Sequence, residues 1–342
     1  MTHQIIVSTE GSLGVIDLNR PEAINALSRE MIDAIAAQLS AWRDDGAIRV
    51  VLFAGNGPKG FCAGGDVRAA RAMVVSGDVL GAAGYFAAEY AMNALIAGYP
   101  KPIIALTHGV VMGGGIGIAG HCRYRITQPG SRFAMPEAAI GFFTDVGVNA
   151  ILAKAPLNRA LLFAMSGQAV GAEDALALGL ADCIVKPEHV PAIRAGLATA
   201  AASHRPDEAI VALMQAESIS GEAASFVTLA DALPAEPPGS PSDFIERVAA
   251  QPTLSAISAL LAMRSPTALT AIFHAQMAAR RVMDVGRALE MDLRLAVLMA
   301  SLPDFAEGVR SVLVDKDGKP NWSPTGLGEV DAKAILSAVE GA

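Results

Sequence analysis

Three carboxylates stand where the sequence offers little water or countercharge. Glu137 closes Phe133-Ala-Met-Pro-Glu137, Asp145 sits in Gly141-Phe-Phe-Thr-Asp-Val-Gly147, and Glu89 lies in the alanine-rich stretch Ala87-Ala-Glu-Tyr90. An ionised group in apolar surroundings is costly unless it is paired or has a task. The task open to a carboxylate is attack on an electrophile or removal of a proton from water. Each also has a structural account: Glu137 as a helix-start charge after Pro136, Asp145 as a helix cap, Glu89 as part of a solvated helix face.

Two glycine clusters supply the complementary chemistry. Ala63-Gly64-Gly65-Asp66 and Gly113-Gly114-Gly115 can each present a backbone N–H toward one point. Two such donors form an oxyanion hole, which stabilises negative charge developing on a carbonyl oxygen. Glycine suits that task because no Cβ stands between backbone and ligand. Close packing of strands against helices accounts for the same residues equally well.

The spacing Gly55-Asn-Gly57-Pro-Lys-Gly60 and again Gly115-Ile-Gly117-Ile-Ala-Gly120 spells the dinucleotide pattern GxGxxG. The first copy carries Pro58 and continues as a loop. The second follows a strand and has Glu137 downstream, so a nicotinamide-dependent oxidoreductase stands as one reading. Cys62, Cys122 and Cys183 show no CxxC spacing, and the six histidines form no HExxH pair. Neither a disulfide framework nor a metal site is expected. A net charge of −8 speaks against a broad nucleic-acid-binding face, and 52% hydrophobic residues in a 342-residue chain speak against disorder. No basic segment precedes an apolar run at the N-terminus, so a reduced, cytoplasmic protein is expected, with no membrane or nucleic-acid partner. The nearly uncharged stretch Pro102–Gly120 reads as strand, turn and buried helix rather than as a membrane span.

The elements that must carry these groups alternate. Strands are expected over Gln4–Thr9, Gly14–Asn19, Val50–Ala54, Ile103–Thr107, Arg123–Thr127, Arg132–Ala134 and Ala181–Val185. Ser28 reads as the cap of a helix to about Arg43. Other helices are expected over Ala82–Ala97, Leu157–Met165 and Ala172–Leu178. Gly55–Asp66 and the proline-rich 234–241 read as loops. After about residue 186 strand signals nearly vanish, and Pro266–Ser301 reads as two helices or one bent helix. The expected fold class is α/β, with an α/β core over residues 1–200 and a helical C-terminal region over 201–342.

Taken together, Arg20-Pro-Glu-Ala-Ile-Asn-Ala-Leu27, Phe61-Cys-Ala-Gly-Gly-Asp66, His108–Gly117 and Phe133–Glu137 resemble the crotonase (enoyl-CoA hydratase/isomerase) superfamily. Gly141–Gly147, Ser265-Pro-Thr-Ala-Leu269, Phe305-Ala-Glu-Gly-Val-Arg310 and Leu313–Asp317 bring the resemblance nearer to its 3-hydroxyisobutyryl-CoA hydrolase branch. The likeness runs from about residue 5 to 325. It implies a spiral of ββα units and a helical C-terminal region that often mediates homo-oligomers.

By the same resemblance, Gly65 and Gly114 supply the oxyanion N–H groups and Glu137 the catalytic carboxylate. Asp145 and Glu89 match the branch's other acidic site residues, so Glu89, Gly114, Glu137 and Asp145 would bind substrate. Gly117 stands where the family's hydratases carry their first catalytic glutamate, which argues against hydration. Thr144 stands where the branch usually has proline. The implied activity is hydrolysis of an acyl-CoA thioester, 3-hydroxyisobutyryl-CoA in valine breakdown, with no cofactor beyond the coenzyme A of the substrate. Two alternatives share the scaffold: an enoyl-CoA hydratase or isomerase, and an acyl-CoA-binding protein without turnover.

Overall fold

A computed structural model describes residues 3–221, 223–282 and 284–341. Its sheet topology is that of a spiral. A six-stranded sheet takes β1 (Ile5–Glu10), β2 (Leu13–Leu18), β3 (Val50–Gly55), β5 (Ile103–Leu106), β7 (Tyr124–Thr127) and β9 (Cys183–Ile184), in that order. A three-stranded sheet takes β4 (Gly60–Cys62), β6 (Val110–Met112) and β8 (Arg132–Ala134). Successive turns of the chain thus place one strand in each sheet: β3 then β4, β5 then β6, β7 then β8. The β1–β2 hairpin is antiparallel, whereas β2–β3, β3–β5, β5–β7 and β7–β9 are parallel.

The local reasons are legible. Ser28 is extended and its side chain accepts the N–H of Met31, starting the helix Arg29–Arg43. Parallel strands buried on both faces read as apolar runs, and Val50–Ala54 is wholly buried. Leu13, Val15, Leu52, Ile104 and Ile126 of the sheet pack with Ile193 and Leu197 of the helix Val190–Ala202. Losing such a buried leucine side chain to alanine typically costs about 2–5 kcal/mol.

The chain divides into two compact units, and neither is continuous. The first holds 1–65, 91–133 and 170–224, and the second holds 66–90, 134–169 and 225–342. This partition differs from the linear boundary expected near residue 200. Within the second unit, Phe86 stacks on Phe142 at 5.0 Å, and Phe305 lies 5.2 Å from Phe142. Those rings tie 66–90 and 134–169 to the C-terminal helices, which is why sequence order does not set the division.

Pro266–Ser301 forms two helices, Pro266–Val282 and Val285–Ser301. The proline-rich loop ends one residue earlier than expected, because Ser240 caps a helix that begins at Pro241. Pro102–Gly120 is strand, strand and helix, and among the described residues no single helix is long and apolar enough to cross a membrane.

Candidate active site

The first unit holds the glycine cradle. β4 runs parallel to β6 with a register shift between Gly60 and Cys62. The chain then turns through Gly64 at φ +112°, while after β6 it turns through Gly113 at φ +47°. Both angles lie where an L side chain is strained, so these turns require glycine. A methyl group on Gly64 would lie 3.6 Å from the Gly114 nitrogen and 3.3 Å from the Met112 carbonyl oxygen. The two clusters therefore abut.

Gly114 opens the helix Gly114–His121, whose first free donors are its leading N–H groups. The N–H groups of Ile116 and Gly117 turn back to the Gly113 carbonyl. Those of Gly65 and Gly114 make no hydrogen bond among the described residues.

Asn25 explains the Arg20–Leu27 motif. Its buried side chain donates to the carbonyls of Asn56 at 3.0 Å and Phe61 at 2.9 Å, and accepts the Arg20 N–H at 2.8 Å. With Leu27 N–H bonded to the Gly64 carbonyl at 2.8 Å, this fixes the strand and turn that precede Gly65.

The second GxGxxG lies inside the buried helix Gly114–His121, not in a strand-to-helix turn, and the first joins β3 to β4. A dinucleotide fingerprint needs its leading glycine in the turn, so the nicotinamide reading is dropped.

The second unit holds the acids. Glu137 opens a short 3-10 turn, Glu137–Ile140, that ends at Gly141 in the left-handed region. A Cβ on Gly141 would stand 2.1 Å from the Asp304 carbonyl oxygen, so this turn presses directly on the helix Pro303–Val309. Asp304 in turn accepts the Ser265 hydroxyl at 2.6 Å, and the Ser265 N–H bonds the Ala138 carbonyl at 3.2 Å. The Ser265–Leu269 and Phe305–Arg310 motifs thus brace the turn that presents Glu137.

Asp145 precedes two left-handed residues, Val146 at φ +53° and Gly147 at φ +71°. Positive φ at a β-branched residue is a genuine outlier, costing on the order of 1–3 kcal/mol, and such strain clusters at working sites. Thr144 is fully buried; its hydroxyl donates to the Ala164 carbonyl, and its own carbonyl accepts from Asn149 at 2.6 Å. Where the branch usually has proline, hydrogen bonds pin the turn.

The helix Val148–Leu152 has no side-chain cap, so Asp145 is not a helix cap; its Oδ2 accepts the Tyr90 hydroxyl at 2.7 Å. Glu89 is 3% exposed, which overturns the solvated-face reading. Glu89 Oε1 and Glu137 Oε2 are buried and have no hydrogen-bond partner among the described residues.

Burial dominates the electrostatics. It pushes Asp145 up to about 7, moderated by the Tyr90 hydrogen bond. Burial, then the Asp145 charge, pushes Glu89 up to about 8. The same two causes, in the same order, hold Glu137 well above the usual carboxylate range. The three carboxyls thus compete for protons, each held above the usual carboxylate range. A cluster that shares protons in this way suits a carboxylate used as base or nucleophile near neutral pH.

Two residues of this cluster escaped the sequence reading. Tyr90 sits beside Glu89 in a helix apolar enough to pass as core. Asp292 is fully buried on the helix Val285–Ser301 among Leu289, Leu295 and Ala296. An acidic residue in register with that apolar stripe was the available signal. Cys62, Cys122 and Cys183 are buried and form no disulfide among the described residues. Among the described residues, no three His, Cys, Asp or Glu are grouped to hold a metal ion.

Comparison with known proteins assigns the chain a family. The enoyl-CoA hydratase/isomerase family matches residues 13–339. The mitochondrial 3-hydroxyisobutyryl-CoA hydrolase of Xenopus tropicalis is 35% identical over 334 residues, covering 96% of this chain and 86% of the relative. That of Danio rerio is 32% identical over 338 residues, covering 97% and 88%. A crystal structure of a carnitinyl-CoA dehydratase from Mycobacterium thermoresistibile superposes with a TM-score of 0.89 at 30% identity, covering 99% of this chain and 96% of the other. The chain belongs to the enoyl-CoA hydratase/isomerase family and has its crotonase fold. The expected cytoplasmic location is corrected, because these two vertebrate relatives are named as mitochondrial.

Proposed function

We propose that this member of the enoyl-CoA hydratase/isomerase family hydrolyses an acyl-CoA thioester, 3-hydroxyisobutyryl-CoA, to the free acid and coenzyme A, a step of valine breakdown. The observation that carries the reading is the buried acid cluster of Glu89, Glu137 and Asp145, whose carboxyls burial raises above the usual range. Relatives named as hydrolases of this ester, similar along nearly the whole chain, support the choice of substrate.

The thioester oxygen takes the N–H groups of Gly65 and Gly114, which stabilise the charge as the carbonyl carbon becomes tetrahedral. Glu137, once ionised, either attacks that carbon or takes a proton from the attacking water. In the first case the thiolate of coenzyme A leaves, and water then opens the resulting anhydride. In the second, water oxygen bonds the carbon directly and the C–S bond breaks. Asp145, held by Tyr90, binds the substrate hydroxyl or orients the water, and Glu89 keeps the pocket polar. The proposal assigns no resident metal or redox cofactor, since coenzyme A is part of the substrate. Assembly into a homo-oligomer through the helical C-terminal region belongs to the same proposal.

The alternative of hydration on this scaffold is disfavoured by Gly117, which is buried in the helix Gly114–His121 and bears no carboxylate. The test compares release of free thiol from 3-hydroxyisobutyryl-CoA and from isobutyryl-CoA. A site built to bond a hydroxyl discriminates strongly against its absence. Turnover with a preference of about a hundredfold for the hydroxylated ester is expected; no thiol release from either ester would refute the reading.

A further inference from the structure

We infer that Asp292 is a positioning residue that fixes Asp145 for its work by clamping the strained turn between them. The inference rests on the reading of Asp145 given above. Asp292 Oδ2 accepts the Gly147 N–H at 2.7 Å, in a fully buried setting. Gly147 is the second of the two consecutive left-handed residues that follow Asp145. A turn through Val146 in that region persists only where its surroundings over-determine it. The clamp closes the turn from one side, and the Asn149 bond to the Thr144 carbonyl closes it from the other. Between them, Asp145 is left facing the Tyr90 hydroxyl.

The charge state of Asp292 fits a clamp rather than a reagent. Burial holds its carboxyl well above the usual range; the Gly147 bond and Arg294 lower it, while Asp145 raises it further. The protonated side chain still accepts from Gly147 through Oδ2. Its other oxygen, Oδ1, is buried and has no hydrogen-bond partner among the described residues. The titratable groups sharing its surroundings are Asp145, Tyr90 and Arg294. A neutral Asp292 gives the turn an acceptor without adding a second charge beside Asp145.

The variants Asp292→Asn and Asp292→Ala separate the clamp from the charge. Asparagine keeps an oxygen acceptor and mimics the protonated acid, so kcat and its pH profile should stay within about twofold of wild type. Alanine removes the acceptor and should lower kcat about tenfold or more. In an Asp145→Asn background the same alanine change should cost almost nothing further, because residues acting as a unit are not additive. Equal damage from asparagine and alanine, full activity in Asp292→Ala, or an undiminished alanine effect in the Asp145→Asn background would each overturn the inference.

A second readout does not depend on turnover. The Tyr90 hydroxyl proton, identified by its loss in Tyr90→Phe, should appear downfield in the NMR spectrum of wild type and Asp292→Asn and disappear in Asp292→Ala. A protein that shows this pattern yet releases no thiol sinks the hydrolase reading and leaves the clamp standing. Retention of the proton in Asp292→Ala sinks the clamp whatever the activity. If Asp292→Ala does not fold, Asp292→Asn alone decides, since a shifted pH profile there contradicts a neutral clamp.

Discussion

The glycine cradle and the acid cluster solve the same problem, control of charge in a buried place, by opposite means. The cradle uses backbone. Gly64 and Gly113 bend where other residues are strained, Asn25 staples the preceding loop, and the donors are N–H groups that cannot titrate. The cluster uses side chains gathered from residues 89, 90, 137, 145 and 292. Its state depends on pH, because burial raises its carboxyls above the usual carboxylate range. Fixed dipoles cost nothing to keep ready; buried acids must be held protonated until they are used. Changes in the cradle should therefore act equally at every pH, whereas changes in the cluster should not.

The largest effect belongs to Glu137. Glu137→Gln keeps the shape and removes the ionisable group, so kcat should fall by roughly two to four decades with KM little altered. In wild type, kcat/KM should rise with pH above the usual carboxylate range, because the free protein must release the proton that burial keeps on Glu137. A wild-type profile that is flat between pH 6 and 9 would contradict the assignment.

The cradle comes next. Gly114 is the first residue of its helix, a position that tolerates proline. Gly114→Pro deletes one donor and should lower kcat by on the order of a hundredfold, the usual cost of one lost oxyanion contact. The loss should be the same at pH 6 and pH 9. Circular dichroism would establish that the variant is folded, and near-normal turnover in a folded variant would remove Gly114 from the hole.

The smallest effect is thermodynamic. The folded protein holds a proton on Glu89 up to about pH 8, whereas the unfolded chain releases it near the ordinary value of 4.5. The raised value contributes stability that is full below about 4.5 and is lost as pH rises through about 8. Glu89→Gln removes that dependence. Its melting temperature should fall less between pH 5 and pH 9 than that of wild type, by a few degrees. Parallel curves for the two proteins would show that Glu89 is not a buried acid.

Much of the cradle was legible in the sequence, because a turn that only glycine can make leaves a glycine in the chain. The short strands β4 and β6 were not: each is three residues long and sits among glycines, too short for alternation to show. The acids at 137 and 145 announced themselves by their apolar neighbours. Asp292 did not, because Glu290 and Arg294 nearby give its helix a charged face, and only the register of Asp292 with Leu289 and Leu295 reveals that it points inward. Tyr90 was hidden by type, since a tyrosine in an apolar helix is usually core. The discontinuity of the two units has a related cause: aromatic contacts between Phe86, Phe142 and Phe305 join stretches over two hundred residues apart, and no local pattern encodes such a pairing.

The central claim is that this scaffold, with Glu137 in a proton-holding cluster and no carboxylate at Gly117, hydrolyses a thioester rather than hydrating a double bond. The most direct test follows two reactions on one preparation: free-thiol release from 3-hydroxyisobutyryl-CoA and loss of enoyl absorbance from crotonyl-CoA. Thiol release faster than hydration by about a hundredfold or more is the predicted result, the margin a missing catalytic acid or base commonly makes. Rapid hydration of crotonyl-CoA without thiol release would contradict the account.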